Sequence, residues 1–411
     1  MCSHPEAVLI GGFGQLRPLA AAGLFPLVVR RSPRDILRYS RHFRDSGLVM
    51  PDGERDEQPF VDALLRLSAT LPERPVLYYG DDRLLRFVAR NQQRLREGYR
   101  FEMPDRELVE ACLDKTRFCA LGERVGLALP RQLVATPELD AAQIERTIGF
   151  PCALKPDSHD GWFDSEAVRE RGRGPQKILR ADDRAECEAA LAAIRRFSDR
   201  FIVQEFIPGG EDRIYSFHAY VSRRPRPRAA YVGRKIRTLP SLAGESTMVR
   251  LVANDEVMRL GWETTERLGL TGLIKIDFKH DVARDRYYVL EVNLRSTLWN
   301  QLGARCGINL PELAYRDLCD QPCETGSEYR TDVRWLHLTR DLRTFFGDYY
   351  PSGQLTLGRW LRSYAGPTTY AVFAWDDPLP CLAHWATTLR KAGRRVLQRV
   401  RSRPAPGRHA A

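Results

Sequence analysis

The stretch Ile274–Arg295 constrains this chain more tightly than any other. Two runs with strand periodicity are joined by a charged turn, Asp281–Arg286. In the first, Ile274, Ile276 and Phe278 alternate with Lys275, Asp277 and Lys279, the period of two expected of a strand with one apolar face. In the second, Glu291 and Asn293 share one face, while Leu290, Val292 and Leu294 take the other. Closing the hairpin sets Asp277 almost opposite Glu291, so two carboxylates and an amide oxygen converge on one polar face. Hard oxygen donors on a rigid sheet suit Mg²⁺ shared with nucleotide phosphates, because that ion keeps several waters and takes only one or two protein carboxylates. Arg295 follows on the same face, ready to meet whatever anion the metal holds. An ordinary hairpin with one solvated face carries the same pattern, so its surroundings must decide.

Strand and helix alternate ahead of it. Val8–Ile10 runs into Gly11-Gly12-Phe13-Gly14, and further strands are expected at Leu24–Val29, Gly47–Met50 and Pro75–Tyr79. Helices are expected at Gln15–Ala22, Gln58–Thr70 and Asp82–Leu95, which makes residues 1–104 a parallel α/β domain. The glycine turn is a poor dinucleotide fingerprint. Its third glycine position is Arg17, and the second strand ends in Arg30-Arg31, not in an acid for a ribose. A tight turn beside a substrate pocket is the plainer reading.

Residues 105–325 read as a second, α+β unit. Asp114-Lys115 precedes a helix at Thr116–Val125, and Pro151–Pro156 is a short buried strand carrying Lys155. Asp157–Lys177 is too long and polar for a connector, a length typical of functional lids. A strand at Phe201–Phe206 runs into Ile207-Pro208-Gly209-Gly210-Glu211; strands follow at Arg213–Val221 and Arg228–Ile236, and then a helix at Asp255–Leu268. Residues 326–411 form a C-terminal extension rich in Trp and Tyr, with Trp375-Asp376-Asp377-Pro378-Leu379-Pro380 inside it.

Lys115, Lys155, Gln204–Glu211, Lys235, Asp277, Glu291, Asn293 and Arg295, taken in order, form a coherent set for binding a nucleoside triphosphate. Cations come first, an adenine-compatible strand sits in the middle, and metal ligands close the list. There is no GxxxxGK[ST] cradle, so a Walker-type phosphate loop is excluded. Over about residues 1–320 this order resembles the ATP-grasp superfamily, the carboxylate–amine ligases that include D-alanine ligase, biotin carboxylase and carbamoyl phosphate synthetase. The resemblance implies a pre-ATP-grasp domain followed by two subdomains closing on ATP. Lys115 and Lys155 then correspond to the lysines on the α and β phosphates, and Gln204, Glu205 and Ile207 to the hinge that reads adenine. Glu211 corresponds to the ribose ligand, Lys235 to a cation at the terminal phosphate, and Asp277, Glu291 and Asn293 to the magnesium ligands. One departure is Gln204, where relatives generally have an acid; its amide oxygen can still pair with an amino group.

The implied chemistry is phosphoryl transfer from ATP to a carboxylate, followed by attack of an amine on the acyl phosphate, with Arg295 and Lys235 as catalytic cations. Two Mg²⁺ ions bridged by Glu291 are implied, with Mn²⁺ as a substitute. A bicarbonate-activating carboxylase or carbamoyl-phosphate-like enzyme is the alternative, and a non-catalytic ATP-binding regulator the next. His159 and His218 are possible bases, though each is more simply structural.

Eight of the eleven net positive charges sit in Leu389–Ala411, leaving a body of only +3. With little aromatic interleaving, that tail argues against nucleic acid as a partner. Ala383–Val400 can instead form a basic amphipathic helix, the pattern of a peripheral contact with an anionic membrane. The nine scattered cysteines form no CxxC pair, and no signal peptide or apolar run of membrane-spanning length is apparent. The expected location is therefore cytoplasmic, at most peripheral to the inner face of a membrane.

Overall fold

Three short apolar strands and a more polar edge strand build the first sheet in the computed structural model, which describes residues 5–51, 57–157, 162, 165, 177–223, 228–241, 244–323 and 328–401. Strands β1 (Ala7–Ile10), β2 (Leu27–Arg30), β3 (Arg44–Val49) and β4 (Val76–Tyr79) lie in the order β3-β2-β1-β4, all parallel. The second strand starts at Leu27, later than its apolar run, because Pro26 has no N–H for a ladder. The helix expected over Asp82–Leu95 is two helices, Asp82–Arg90 and Gln92–Gly98. At the joint, the Asn91 side-chain amide donates to the Phe87 carbonyl at 2.9 Å, in competition with the helix ladder.

The second sheet is antiparallel: β5 (Gln132–Val134), β6 (Cys152–Pro156), β7 (Leu179–Ala181) and β8 (Phe201–Glu205), ordered β5-β8-β6-β7. Helices Ala141–Thr147 and Arg184–Arg195 cover it, and Ile144, Leu154, Leu191 and Val203 form a core of its own. Its three-residue strands are too short to show periodicity, so β5 and β7 had no counterpart in the sequence reading. Within Asp157–Lys177 only Asp157, Trp162, Ser165 and Lys177 are described; the rest of the expected lid lies outside the described residues.

The third and largest sheet holds β9 (Ile214–Val221), β10 (Arg228–Leu239), β11 (Glu245–Leu251), β12 (Gly272–Asp281), β13 (Arg286–Asn293), β14 (Arg334–Leu336) and β15 (Thr368–Tyr370). Their order is β13-β12-β9-β10-β11-β14-β15, antiparallel except for the last pair. The region after Asp332 thus lengthens this sheet by two strands. Cores are shared across residues 104 and 325. Val8, Leu85 and Val88 pack with Phe217, Ile276 and Phe278, while Leu9 and Leu16 pack with Tyr231, Val249 and Trp335.

The glycine turn is a packing device. A Cβ on Gly14 would meet the Thr297 carbonyl oxygen at 2.6 Å, so the turn lets its helix press against the segment following β13. Arg17, at the supposed third glycine position, is 7% exposed. It donates to the carbonyls of Tyr370, Val372 and Phe373 and lies 3.6 Å from Asp377. Asp377 also accepts from the Ser40 hydroxyl and the Arg41 amide, so the Asp376-Asp377-Pro378 segment is clamped onto the first domain. The final helix, Leu379–Arg401, spans the expected amphipathic stretch. No described helix is long and apolar enough to cross a membrane.

Candidate active site

The hairpin β12–β13 pairs Asp277 with Glu291 and Lys275 with Asn293, so the expected convergence of oxygen donors is present. Beyond that row, Phe278 pairs with Val289, which leaves Leu290 as a bulge; Glu291 stays on the polar face although the strand gains a residue. On the other side of β12, Asp277 pairs with Ser216 and Lys275 with His218 of β9.

Asp277 is 2% exposed and fully engaged. Its Oδ1 accepts from the Ser216 hydroxyl, and its Oδ2 from Lys275 at 2.8 Å and Lys235 at 3.2 Å. Burial works to raise the Asp277 carboxyl, but the two ammonium groups outweigh it and hold it well below the usual carboxylate range. Lys235 moves the opposite way: burial opposes its charge, and Asp277 and Glu291 more than restore it. Glu291 is different, with 59% of its side chain exposed and contacts to the Asn293 amide at 3.0 Å and Lys275 at 3.8 Å. An exposed carboxylate, a neighbouring amide oxygen and a second carboxylate one strand away form a donor set that fits a hard divalent cation. Asp277 meets Lys275 and Lys235 first, ion pairs that the strand pattern did not show.

Lys115 opens the helix Lys115–Arg124, whose N-cap is Asp114. Its ammonium donates to the carbonyls of Pro156 and Asp157 at 2.7 and 2.9 Å, which ties it to the end of β6. Lys155 projects from β6 to the Gln204 amide oxygen, and Gln204 in turn donates to Gln132 at 3.1 Å. The departure at Gln204 therefore has a definite effect: an amide supports the lysine without neutralising it. Burial and the nearby Lys115 charge push Lys155 down to about 8, against the pull of Glu291. Glu291 also acts on Lys115, so Lys155 of the second sheet, Lys115 of the neighbouring helix and the carboxylate of the third sheet share one electrostatic neighbourhood.

Glu205 is held by Arg131 at 3.1 Å and by Arg284, in the hairpin turn, at 2.6 Å. Ile207 is buried. Lys279 donates at 2.7 Å to the carbonyls of both Gly209 and Gly210, which fixes the loop leaving β8. Glu211 is 6% exposed and accepts from the Tyr349 hydroxyl at 2.5 Å and Thr238 at 3.2 Å, so the extension reaches this residue. Arg295 bonds Asp82 of the first domain at 2.5 Å and the Asn293 amide oxygen at 3.2 Å. His218 is stacked between Tyr231 and Trp299, with ring centroids 4.9 and 5.0 Å away. Burial, with Lys275 and Lys235 nearby, disfavours its protonated form, so it is a poor proton acceptor and suits a wedge in the sheet better than a base. His159 lies outside the described residues.

Lys275 and Lys279 were legible from the period of two that puts them on the face of Asp277. Ser216 was not, because only the β9–β12 register brings it there.

A parallel α/β domain, a small antiparallel sheet carrying Lys155 with Lys115 on an adjoining helix, and a large antiparallel sheet carrying the carboxylates make up the ATP-grasp fold. Solved structures agree. N5-carboxyaminoimidazole synthetase from Staphylococcus aureus, in complex with ADP, matches with a TM-score of 0.58 and 12% identity over 80% of each chain. The L-amino acid ligase from Bacillus licheniformis matches with a TM-score of 0.54 and 15% identity, covering 77% of this chain and 75% of that one. By sequence the chain is similar to a D-aspartate ligase of Enterococcus faecium (strain Aus0004), 25% identical over 280 residues. That alignment covers 66% of this chain and 65% of the relative, just under two thirds of the relative's own length. No family model matches the chain.

Proposed function

We propose that this chain is an ATP-dependent ligase that activates a carboxylate as its acyl phosphate and joins it to an amine. The observation that carries this reading is the cross-strand pair Asp277–Glu291, flanked by Asn293, with Lys115 at a helix start and Lys155 on β6 both within electrostatic reach of Glu291. Lys115 and Lys155 would neutralise the α and β phosphates, and Lys235 and Lys275 would carry positive charge to the terminal phosphate. Asp277, Glu291 and Asn293 would hold Mg²⁺, which supplies Lewis-acid polarisation of the phosphate oxygens when bound. Positioning and charge neutralisation are the main tasks, since phosphoryl transfer leaves a protein little covalent work. Arg295, oriented by Asp82 and Asn293, offers a planar fork to the acyl phosphate and to the oxyanion formed as the amine attacks. Gln204, Glu205 and Ile207 would line the adenine pocket, with Glu211 at the ribose. The charge pattern of the C-terminal helix fits an anionic bilayer surface, a role that rests on sequence alone.

An amino acid is the first substrate class to test, because similar proteins are named as ligases of aspartate and of alanine. Phosphate release would be followed with ATP, Mg²⁺ and pooled amino acids and carboxylates, then mass spectrometry of the product. A C–N-linked product with one ADP and one phosphate supports the reading. No phosphate release with any pool, or release only with bicarbonate, overturns it.

Two further results are expected. Because the Lys155 ammonium is held near pH 8 and binds phosphate only when protonated, ADP affinity should fall as pH rises through about 8. In Gln204→Glu, an added carboxylate should stabilise that proton and move the break upward; a pH-independent Kd would remove Lys155 from the phosphates. Arg295→Lys should leave ADP affinity within about threefold while lowering ligation roughly a hundredfold, since a point charge does not reproduce a bidentate fork. Equal losses in affinity and rate would place Arg295 on the nucleotide instead.

A further inference from the structure

The large sheet carries a second concentration of charge. Arg234 of β10 pairs directly with Arg250 of β11, and Arg250 pairs directly with Arg334 of β14. Three arginines therefore stand in one row across three adjacent strands, about 5 Å from each to the next. Arg234 precedes Lys235, which meets Asp277 on the nucleotide side, so by strand alternation the row is on the opposite face. The same row continues into Tyr215 on one side and Thr368 on the other.

Like charges directly opposite one another destabilise a sheet. Elsewhere on this sheet Lys235 and Lys275 meet Asp277, Arg237 meets Asp341, and Lys279 is held by the Gly209 and Gly210 carbonyls. Among the described residues no carboxylate pairs with Arg234 or Arg250, and the Nε atoms of both are buried without a hydrogen-bond partner. All three side chains are half-buried, and the Arg334 head group donates to the Ala365 carbonyl, so the row cannot simply splay into solvent. Burial and the repulsion of Arg234 and Arg334 both press the Arg250 guanidinium toward losing its charge.

We infer that the Arg234–Arg250–Arg334 row is a binding site for a small multivalent oxyanion, distinct from the nucleotide site. Arginine forks match phosphate or carboxylate oxygens in pairs, and a bound anion replaces repulsion between neighbours with attraction to a shared partner. A diphosphate or a di- or tricarboxylate has the size and charge to bridge adjacent members of the row.

The test uses the full chain saturated with ADP, so that the nucleotide lysines are occupied, and titrates inorganic diphosphate and, separately, citrate by calorimetry. Wild type should bind at least one of them at this face, and Arg250→Gln should weaken that binding tenfold or more. Loss of diphosphate binding alone marks a phosphate site; loss of both marks a general oxyanion site. Should Arg250→Gln not fold, Arg234→Gln carries the same expectation. An equal Kd in wild type and variant, or no binding of either anion by wild type, overturns the inference.

Discussion

Glu291→Gln is expected to lower ATP turnover by at least about a hundredfold, with the melting temperature unchanged within a degree or so. Both halves follow from position. Glu291 keeps 59% of its side chain exposed and, among the described residues, its side chain bonds Asn293 and lies near Lys275, so the fold loses little when its charge is removed. Its charge nevertheless acts on Lys115, Lys155 and Lys235, and it is the most accessible carboxylate for a divalent cation. Removing one negative charge from that cluster should weaken Mg²⁺ binding more than nucleotide binding, which separate titrations of Mg²⁺ and of metal-free ADP can resolve. Wild-type turnover by the glutamine variant, with Mg²⁺ as sole metal, would refute the assignment of Glu291.

The second large effect concerns stability. Asp341 has no exposed surface and accepts from Arg237 at 2.8 and 2.9 Å, Thr247 at 2.7 Å, Trp360 at 3.0 Å and Tyr364 at 2.6 Å. Asp341→Leu leaves the 4% exposed Arg237 without a counter-charge, which costs about 3–5 kcal/mol. Arg237→Met/Asp341→Leu should recover part of that loss, because the stranded charge goes although Thr247, Trp360 and Tyr364 still lack an acceptor. Urea unfolding followed by tryptophan fluorescence measures both variants. A double variant no more stable than the single would show that the charge pair is not the source. Burial favours the protonated Asp341 carboxyl, but Arg237 and the other donors prevail, so its folded pKa is lowered. The resulting stability is present above the ordinary carboxylate pKa and is lost as pH falls through the lower folded value.

This network also explains how residues expected to be an appendage become part of the molecule. Asp341 and Trp360 hold the extension to β10 through Arg237, and Tyr349 reaches Glu211 and Thr238. Nothing in the periodicity of residues 332–397 announced these contacts, since each joins residues about a hundred positions apart or more.

What could be read from the chain alone was local. A period of two exposed the hairpin, its polar face and the facing of Asp277 and Glu291. The order of Lys115, Lys155, Gln204–Glu211 and Lys235 indicated a nucleotide fold before any contact was known. Pattern reaches that far because side-chain direction along a strand is dictated by the backbone itself. It reaches no further, because pairing register between distant strands depends on which faces bury together. Register decided that Asp277 meets Ser216 and is neutralised by two lysines, that Gln204 supports Lys155 without neutralising it, and that three arginines stand side by side with no paired acid among the described residues.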